Sequence, residues 1–377
     1  MQVFVPKETD SKERRIPVVP ATVSKLTALG AQVQVEKDLG QAIHFTDADY
    51  QAAGAAIITN RQEGLGTADM ILRLNKPPEQ EIPFIKKGCI HVSYLDPFNH
   101  PLLTQKLADA GASAICVEFI PRTTRAQTMD VLSSQANLGG YEAVILAARY
   151  SNKIFPMMTT AAGTILPSKV FIVGVGVAGL QAIATAKRLG AKVTAYDSRP
   201  VVEEQVRSLG GQFLKIDLGE TGQTRDGYAK ALTEEQIQKQ RDAMKKTCGD
   251  SDVVITTAQV FGRKAPVLVT AEMLNAMKPG SVVIDMAVET GGNVEGVKYG
   301  EVIDRNGVKI VGIANLPGRA PLHASQVYSA NLLALISEFW DKEKKSFVLN
   351  LDDEIIKGCL VTHGGRIVNE KLSPQTN

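Results

Sequence analysis

The run Val170-Phe171-Ile172-Val173-Gly174-Val175-Gly176-Val177-Ala178-Gly179-Leu180 decides how this chain is read. Four apolar residues predict a buried strand, and the glycines that follow keep the spacing G-x-G-x-x-G before a helical pattern. The first glycine allows a tight turn, the second lets a pyrophosphate approach the backbone, and the third permits close helix–strand packing. The helix N-terminus then offers N–H groups and a positive dipole end to an anion. Glycine-rich turns are common punctuation, so the motif alone is weak. The next predicted strand, 192–196, supplies the support, because it ends at Asp197. A carboxylate there accepts hydrogen bonds from the adenosine ribose hydroxyls and repels a 2′-phosphate, which favours NAD(H) over NADP(H). Arg199 points the other way, since an arginine at that place accommodates the phosphate.

Outward from this unit, strands are predicted at 170–173, 192–196, 212–216, 253–257, 282–286 and 309–313. Helices are predicted at 180–189, 201–209, 234–246 and 271–277. Such a series makes a doubly wound sheet. Upstream, apolar runs at 2–5, 32–35, 55–58, 70–74, 89–92 and 114–117 alternate with helical patterns at 20–29 and 102–110, which argues for a second parallel sheet with covered faces. Residues 129–149 carry apolar side chains at helical spacing and read as a connecting helix. Its Gly139 and Gly140 each cost ~1 kcal/mol relative to Ala and are read as permitting close packing. A helix over 326–340 returns to the first domain, and 347–368 alternates like a hairpin. The expected fold is α/β, with two Rossmann-like domains separated by a cleft, one of them a doubly wound six-stranded parallel sheet. The expected domains are 1–138 plus 322–377, and 139–321.

Composition narrows the function classes. With 42 basic against 40 acidic side chains in 377 residues, a strongly basic nucleic-acid binder is excluded. Aromatics at 5% leave little for a base-stacking platform. No window approaches the ~18 apolar residues of a membrane span, and the first 20 residues carry Lys, Glu and Arg where a signal peptide has an apolar core. A cytoplasmic protein is expected. Cys89, Cys116, Cys248 and Cys359 stand far apart without ligand spacing, so reduced thiols and no metal site are expected.

Three further features invite a chemical reading. The segment 121–135 gathers Arg122, Arg125, Gln127, Asp130, Ser133 and Ser134. Helix capping by Thr128 or Asp130 with solvated arginines explains it plainly; a substrate or nicotinamide contact between domains explains it functionally. The residues alone leave both open. The polar stretch 217–231, with Gly219, Gly222, Gly227 and Tyr228, is about 15 residues long where ~2–6 suffice for a connection, and it reads as a linker or a lid. His91 lies in an apolar strand and reads as a core histidine, while His323 lies beside the cofactor sheet without further support. No GxSxG, HExxH or P-loop pattern occurs.

Together these motifs resemble one family: the NAD(H)-binding alpha subunit, or first domain, of proton-translocating NAD(P) transhydrogenase, in the alanine dehydrogenase/transhydrogenase superfamily. The resemblance rests on Val5-Pro6-Lys7-Glu8, Arg14-Arg15-Ile16-Pro17, 122–135, 155–164, 174–181, Gly227-Tyr228-Ala229-Lys230 and 278–285. It implies an enzyme of the Si/Re-specific class, with NAD(H) on this chain and NADP(H) on a partner subunit. Hydride passes directly between them, coupled to proton translocation by a membrane subunit. The resemblance places Arg122, Gln127, Asp130 and Ser133 on the nicotinamide, with Tyr228 on a mobile loop. The cofactor-binding set is then Gly174, Gly176, Val177, Gly179, Asp197, Ser198, Arg199, Gly227, Ala258 and Asn315. A homodimer is implied, cytoplasmic and peripheral to the inner membrane through its partners, with no nucleic acid. The polar ending 371–377 is similar to the split-subunit version.

The sister alanine dehydrogenases have a catalytic His after a context resembling Ser93-Tyr94-Leu95, where this chain has Asp96. Their substrate Lys falls in a stretch resembling 72–77, at Asn75 or Lys76, and their substrate arginine matches Arg15. Amine oxidation requires proton transfers, whereas hydride exchange between two nicotinamides requires only alignment and exclusion of water. The missing His favours the transhydrogenase. An amino-acid dehydrogenase and a noncatalytic NAD(H)-binding module are the alternatives.

Overall fold

Short apolar runs build the first sheet in the order they occur: β1 (Gln2–Val5), β2 (Gln32–Glu36), β3 (Ala56–Ile58), β4 (Met70–Leu72), β5 (Ile90–Ser93) and β6 (Ser113–Cys116). All six run parallel, in the spatial order β3-β2-β1-β4-β5-β6. β4, β5 and β6 are buried at every position, as expected of strands covered on both faces. The computed structural model describes residues 1–219, 232–259 and 261–372. Its two compact units are Met1–Gln135 with Ala320–Asn377, and Ala136–Arg319.

The chain leaves the first unit along the helix Val131–Tyr150. A hairpin follows, β7 (Met158–Thr160) paired antiparallel with β8 (Gly163–Ile165) and exposed throughout. Nothing in the local residue pattern announces it. The second sheet then comprises β9 (Lys169–Val173), β10 (Lys192–Tyr196), β11 (Gln212–Phe213), β12 (Val253–Thr256), β13 (Val282–Asp285), β14 (Val302–Arg305) and β15 (Val308–Val311). Its order, β11-β10-β9-β12-β13-β15-β14, contains the same parallel series as the first sheet. Alternate residues serve two layers. Val170, Ile172, Val253 and Ile255 pack with Ala143, Ala147, Ala182 and Ile183. Phe171, Val173, Val254 and Val283 pack with Met244, Cys248, Met273 and Leu274 on the other side.

Three expectations need correction. The sheet has seven strands, because β14 adds an antiparallel edge to the six parallel ones. Asn306 (φ 53°) and Gly307 (φ 81°) turn it back in two residues, the Asn-Gly combination that suits a two-residue hairpin. β11 pairs through only two residues, since β10 ends at Tyr196 and offers the edge strand nothing further. The expected tail hairpin is interrupted by a helix, Glu354–Cys359. Asp353 caps it, and Ile355, Ile356 and Cys359 form its buried stripe. Around that helix, β16 (Trp340–Asp341) pairs with β17 (Ser346–Phe347), and β18 (Leu360–His363) joins β6 antiparallel with β19 (Arg366–Ile367) on its outer side. Among the described residues no helix is long and apolar enough to cross a membrane.

Candidate functional site

The glycine turn leaves the end of β9 at Gly174, whose φ of 99° suits only glycine comfortably. The helix Val177–Arg188 begins three residues earlier than its periodicity suggests. Gly176 stands at its N-cap and no side chain caps it, so backbone N–H groups of its first turn suit an anion. Packing here is backbone on backbone. A Cβ on Gly179 would lie 2.0 Å from the Gly174 carbonyl oxygen, and one on Gly140 would lie 2.2 Å from that of Ala178. A Cβ on Gly176 would meet nothing within 4 Å. These are the three roles a dinucleotide cradle asks of its glycines, so the residues present fit the pyrophosphate of NAD(H).

The floor of the cradle comes from β12 and β13. Thr257 Oγ1 donates to the Gly174 carbonyl at 3.0 Å. Ala258 is clamped at both backbone atoms by the buried Asn293, whose Oδ1 accepts from Ala258 N (3.0 Å) and whose Nδ2 donates to Ala258 O (2.9 Å). Asn293 is fixed in turn by Asp285, a fully buried carboxylate that accepts from the backbone N–H of Ala287, Asn293 and Val294 at 2.7–2.9 Å. Burial pushes the Asp285 carboxyl up, against the pull of those amides. Neither residue stands out in the sequence, because a group that acts through distant backbone amides leaves no spacing signature.

Asp197 lies at the end of β10 with its carboxylate turned back to the glycine turn. It accepts from Val175 N at 2.8 Å and from the Arg199 backbone and guanidinium at 2.8–2.9 Å. Ser198 beside it is half-buried. Asn315 has a φ of 49°, and its Oδ1 accepts from Gly318 N at 3.1 Å. Gly227 and Tyr228 lie outside the described residues.

In the first unit, the segment 121–135 forms a turn, Gln127–Met129, followed by the long helix. Asp130 caps that helix, accepting from Ser133 N (2.9 Å) and Ser133 Oγ (2.6 Å). Ala126 and Met129 are buried beneath the turn, and Asn331 Nδ2 donates to the Thr128 carbonyl at 2.7 Å. Arg125 is drawn aside into ion pairs with Asp353 and Glu338. Arg122 and Gln127 remain exposed on this pinned backbone. The capping role is therefore real, and it rigidifies the same turn that carries the candidate side chains.

The positions that matter to an alanine dehydrogenase are tied up internally. Arg15 is buried against Glu13 (Nε to Oε1 2.9 Å, Nη2 to Oε2 2.7 Å) and Gln135 (3.0 Å). Glu8 receives the backbone N–H groups of Leu74 and Asn75. Asp96 accepts from Asn99 Nδ2 at 2.8 Å and lies 3.7 Å from His100 Nε2. His91 is wholly buried, with Nε2 3.1 Å from Ser93 Oγ. Burial, helped by the charge of Arg73, drives its pKa down to about 3, so the ring is neutral at any ordinary pH and cannot cycle a proton. His323, expected beside the cofactor sheet, is exposed on the helix Pro321–Glu338 of the first unit. All four cysteines are buried free thiols.

Two parallel sheets of one strand order, with a glycine-rich turn and an acid ending the second strand in one of them, define a Rossmann-like protein with a dinucleotide fingerprint. The family model "Alanine dehydrogenase/PNT, N-terminal domain" matches residues 4–139, and "Alanine dehydrogenase/PNT, C-terminal domain" matches 143–370. The chain belongs to this alanine dehydrogenase/transhydrogenase family. It is 43% identical to the first of the chains that make up the NAD(P) transhydrogenase alpha subunit of Rhodospirillum rubrum, covering 100% of both. A solved transhydrogenase structure from Sinorhizobium meliloti is 43% identical, with a TM-score of 0.88 over 98% of this chain and 100% of that one. An L-alanine dehydrogenase structure gives 0.81 at 25% identity, covering 98% of each chain.

Proposed function

We propose that this chain is the NAD(H)-binding subunit of a proton-translocating transhydrogenase. It holds NADH for direct hydride transfer to NADP⁺ on a partner subunit, which a membrane subunit couples to proton movement. Bound NADH supplies the hydride: its C4–H bond breaks with both electrons, NADP⁺ gains the new C–H bond, and no protein group takes a proton. The helix turn after Gly176 binds the pyrophosphate, and Asp197 binds the adenosine ribose. Arg122, Gln127, Asp130 and Ser133 orient the dihydronicotinamide and keep water from it. Ser198, Ala258 and Asn315 complete the nucleotide contacts. The observation that carries this reading over an amino-acid dehydrogenase is the site of the missing His, where the Asp96 carboxylate is engaged by His100 and Asn99 while the nearby His91 is held neutral.

The test mixes the chain with NADH, NADP⁺ and a separately expressed NADP(H)-binding transhydrogenase component, and follows NADPH. Rapid turnover that needs the partner is expected; a parallel reaction with NADH, pyruvate and ammonia is expected to be idle. Turnover only in the second reaction makes the protein an amino-acid dehydrogenase.

The protein is further read as a homodimer, cytoplasmic and attached to the inner membrane through its partners. Met157, Met158, Ile165 and Leu166 stand exposed on and beside the β7–β8 hairpin, an apolar edge suited to a second copy. Light scattering should give a dimer mass that the double substitution Met158→Asp/Ile165→Asp reduces to that of a monomer. A dimer that survives both charges excludes the hairpin as the contact.

A further inference from the structure

Asp197 carries more hydrogen bonds than a ribose-binding acid can keep. Oδ1 accepts from Arg199 N (2.9 Å) and Arg199 Nε (2.8 Å). Oδ2 accepts from Val175 N and Arg199 Nη2, both at 2.8 Å. A carboxylate offers about four acceptor sites, and here all four are taken. The two backbone donors belong to the turns that shape the cradle. The guanidinium is the partner that yields without moving main chain, so a ribose diol reaches the acid by displacing Arg199. That arginine already lies where the diol binds, and its Nη2 has a second hold on the Val175 carbonyl at 3.2 Å. The ion pair is largely withdrawn from solvent, with side-chain exposures of 15% and 8%. Asp197 and Arg199 therefore act as one unit.

We propose that Arg199 is a second determinant of nucleotide choice, a 2′-phosphate-binding group kept out of use by Asp197. This rests on the reading that Gly174 to Gly179 cradle an adenine dinucleotide. The acid excludes NADP(H) in two ways: it repels the phosphate, and it neutralises and ties down the cation that recognises it. With the carboxylate removed, the guanidinium fork and the Val175 N–H remain at the 2′ position, a set suited to bidentate phosphate recognition. An acid acting by repulsion alone gives a different result, because Arg199 then contributes nothing once Asp197 is gone.

Fluorescence titration of the full chain with NADH and NADPH separates the two. Wild type is expected to bind NADH and to bind NADPH weakly. Asp197→Ser is expected to tighten NADPH by at least roughly tenfold, the scale of one charge-assisted hydrogen bond. Adding Arg199→Gln in the same chain should abolish that gain, and raised salt should erode it. Asp197→Asn keeps an acceptor for the Val175 amide and serves if the serine variant does not fold. Equal NADPH binding by single and double variants, or no gain in either neutral variant, overturns the proposal. Wild type that fails to bind NADH overturns instead the nucleotide reading beneath it.

Discussion

Gly179→Ala is expected to abolish measurable NADH binding and to lower the melting temperature, whereas Gly176→Ala should weaken binding without touching stability. At Gly179 the added methyl would sit 2.0 Å from the Gly174 carbonyl oxygen and 2.9 Å from its carbon, with Thr257 Oγ1 at 3.3 Å. Nothing flexible stands there to give way. The helix cannot retreat cheaply either, because Ala182, Ile183 and Ala186 are locked in the core and Gly140 already lies against Ala178. Overpacking of this kind costs about 1–3 kcal/mol and occasionally more. It also displaces the N–H groups offered to the pyrophosphate; losing two or three charge-assisted hydrogen bonds at ~1.5–3 kcal/mol each weakens binding by at least ~100-fold. At Gly176 the methyl meets open space, so any lost affinity comes from the ligand's approach and not from the fold. NADH titration beside thermal melting distinguishes the two glycines. A Gly179→Ala protein that binds NADH within about threefold of wild type removes the pyrophosphate from this turn.

Gln127→Asn is expected to slow hydride transfer by ~10- to 100-fold while leaving NADH affinity nearly intact, since a misplacement of about 1 Å is enough to cost that much. Gln127 opens a turn whose backbone cannot follow a shortened side chain. Ala126 and Met129 are buried below it, the Thr128 carbonyl is held by Asn331, and Asp130 is committed to the helix cap. Removing one methylene therefore withdraws the amide from whatever it aligns. Because Gln127 is exposed, the variant should fold normally. Arg125→Ala is the control within the same segment, because its guanidinium is engaged by Asp353 and Glu338 at the surface and its loss should leave the rate unchanged. Single-turnover rates with the NADP(H)-binding component are the measurement. An unaltered rate for Gln127→Asn means that this turn does not orient the nicotinamide.

Local signals account for what is readable from one sequence. The glycine spacing after 170–173, the acid at Asp197 and the strand–helix series each arise within a few residues, where turn geometry and side-chain period leave little choice. The same locality explains the departures. Asn306-Gly307 is a hairpin signal that the neighbouring apolar run 309–313, read as one parallel strand, overshadows; Ile355, Ile356 and Cys359 read as alternation until Asp353 caps them into a helix. Recognition of Arg122 to Ser133 comes from resemblance; on spacing alone a capped helix explains the segment equally well.

The α/β class, the dinucleotide fingerprint and the want of an acid–base histidine at position 96 all follow from the order of the amino acids. Which backbone atoms those residues meet does not. Only the fold shows that Gly140 is small because Ala178 passes over it, that Asn293 and Asp285 hold Ala258, that Arg15 is spent on Glu13 and Gln135, and that Arg199 is bound to the acid whose preference it contradicts. Except for the last pair, these partners stand far apart in the sequence or meet through main-chain groups common to every residue. Spacing carries no trace of such contacts, whereas packing makes them obligatory.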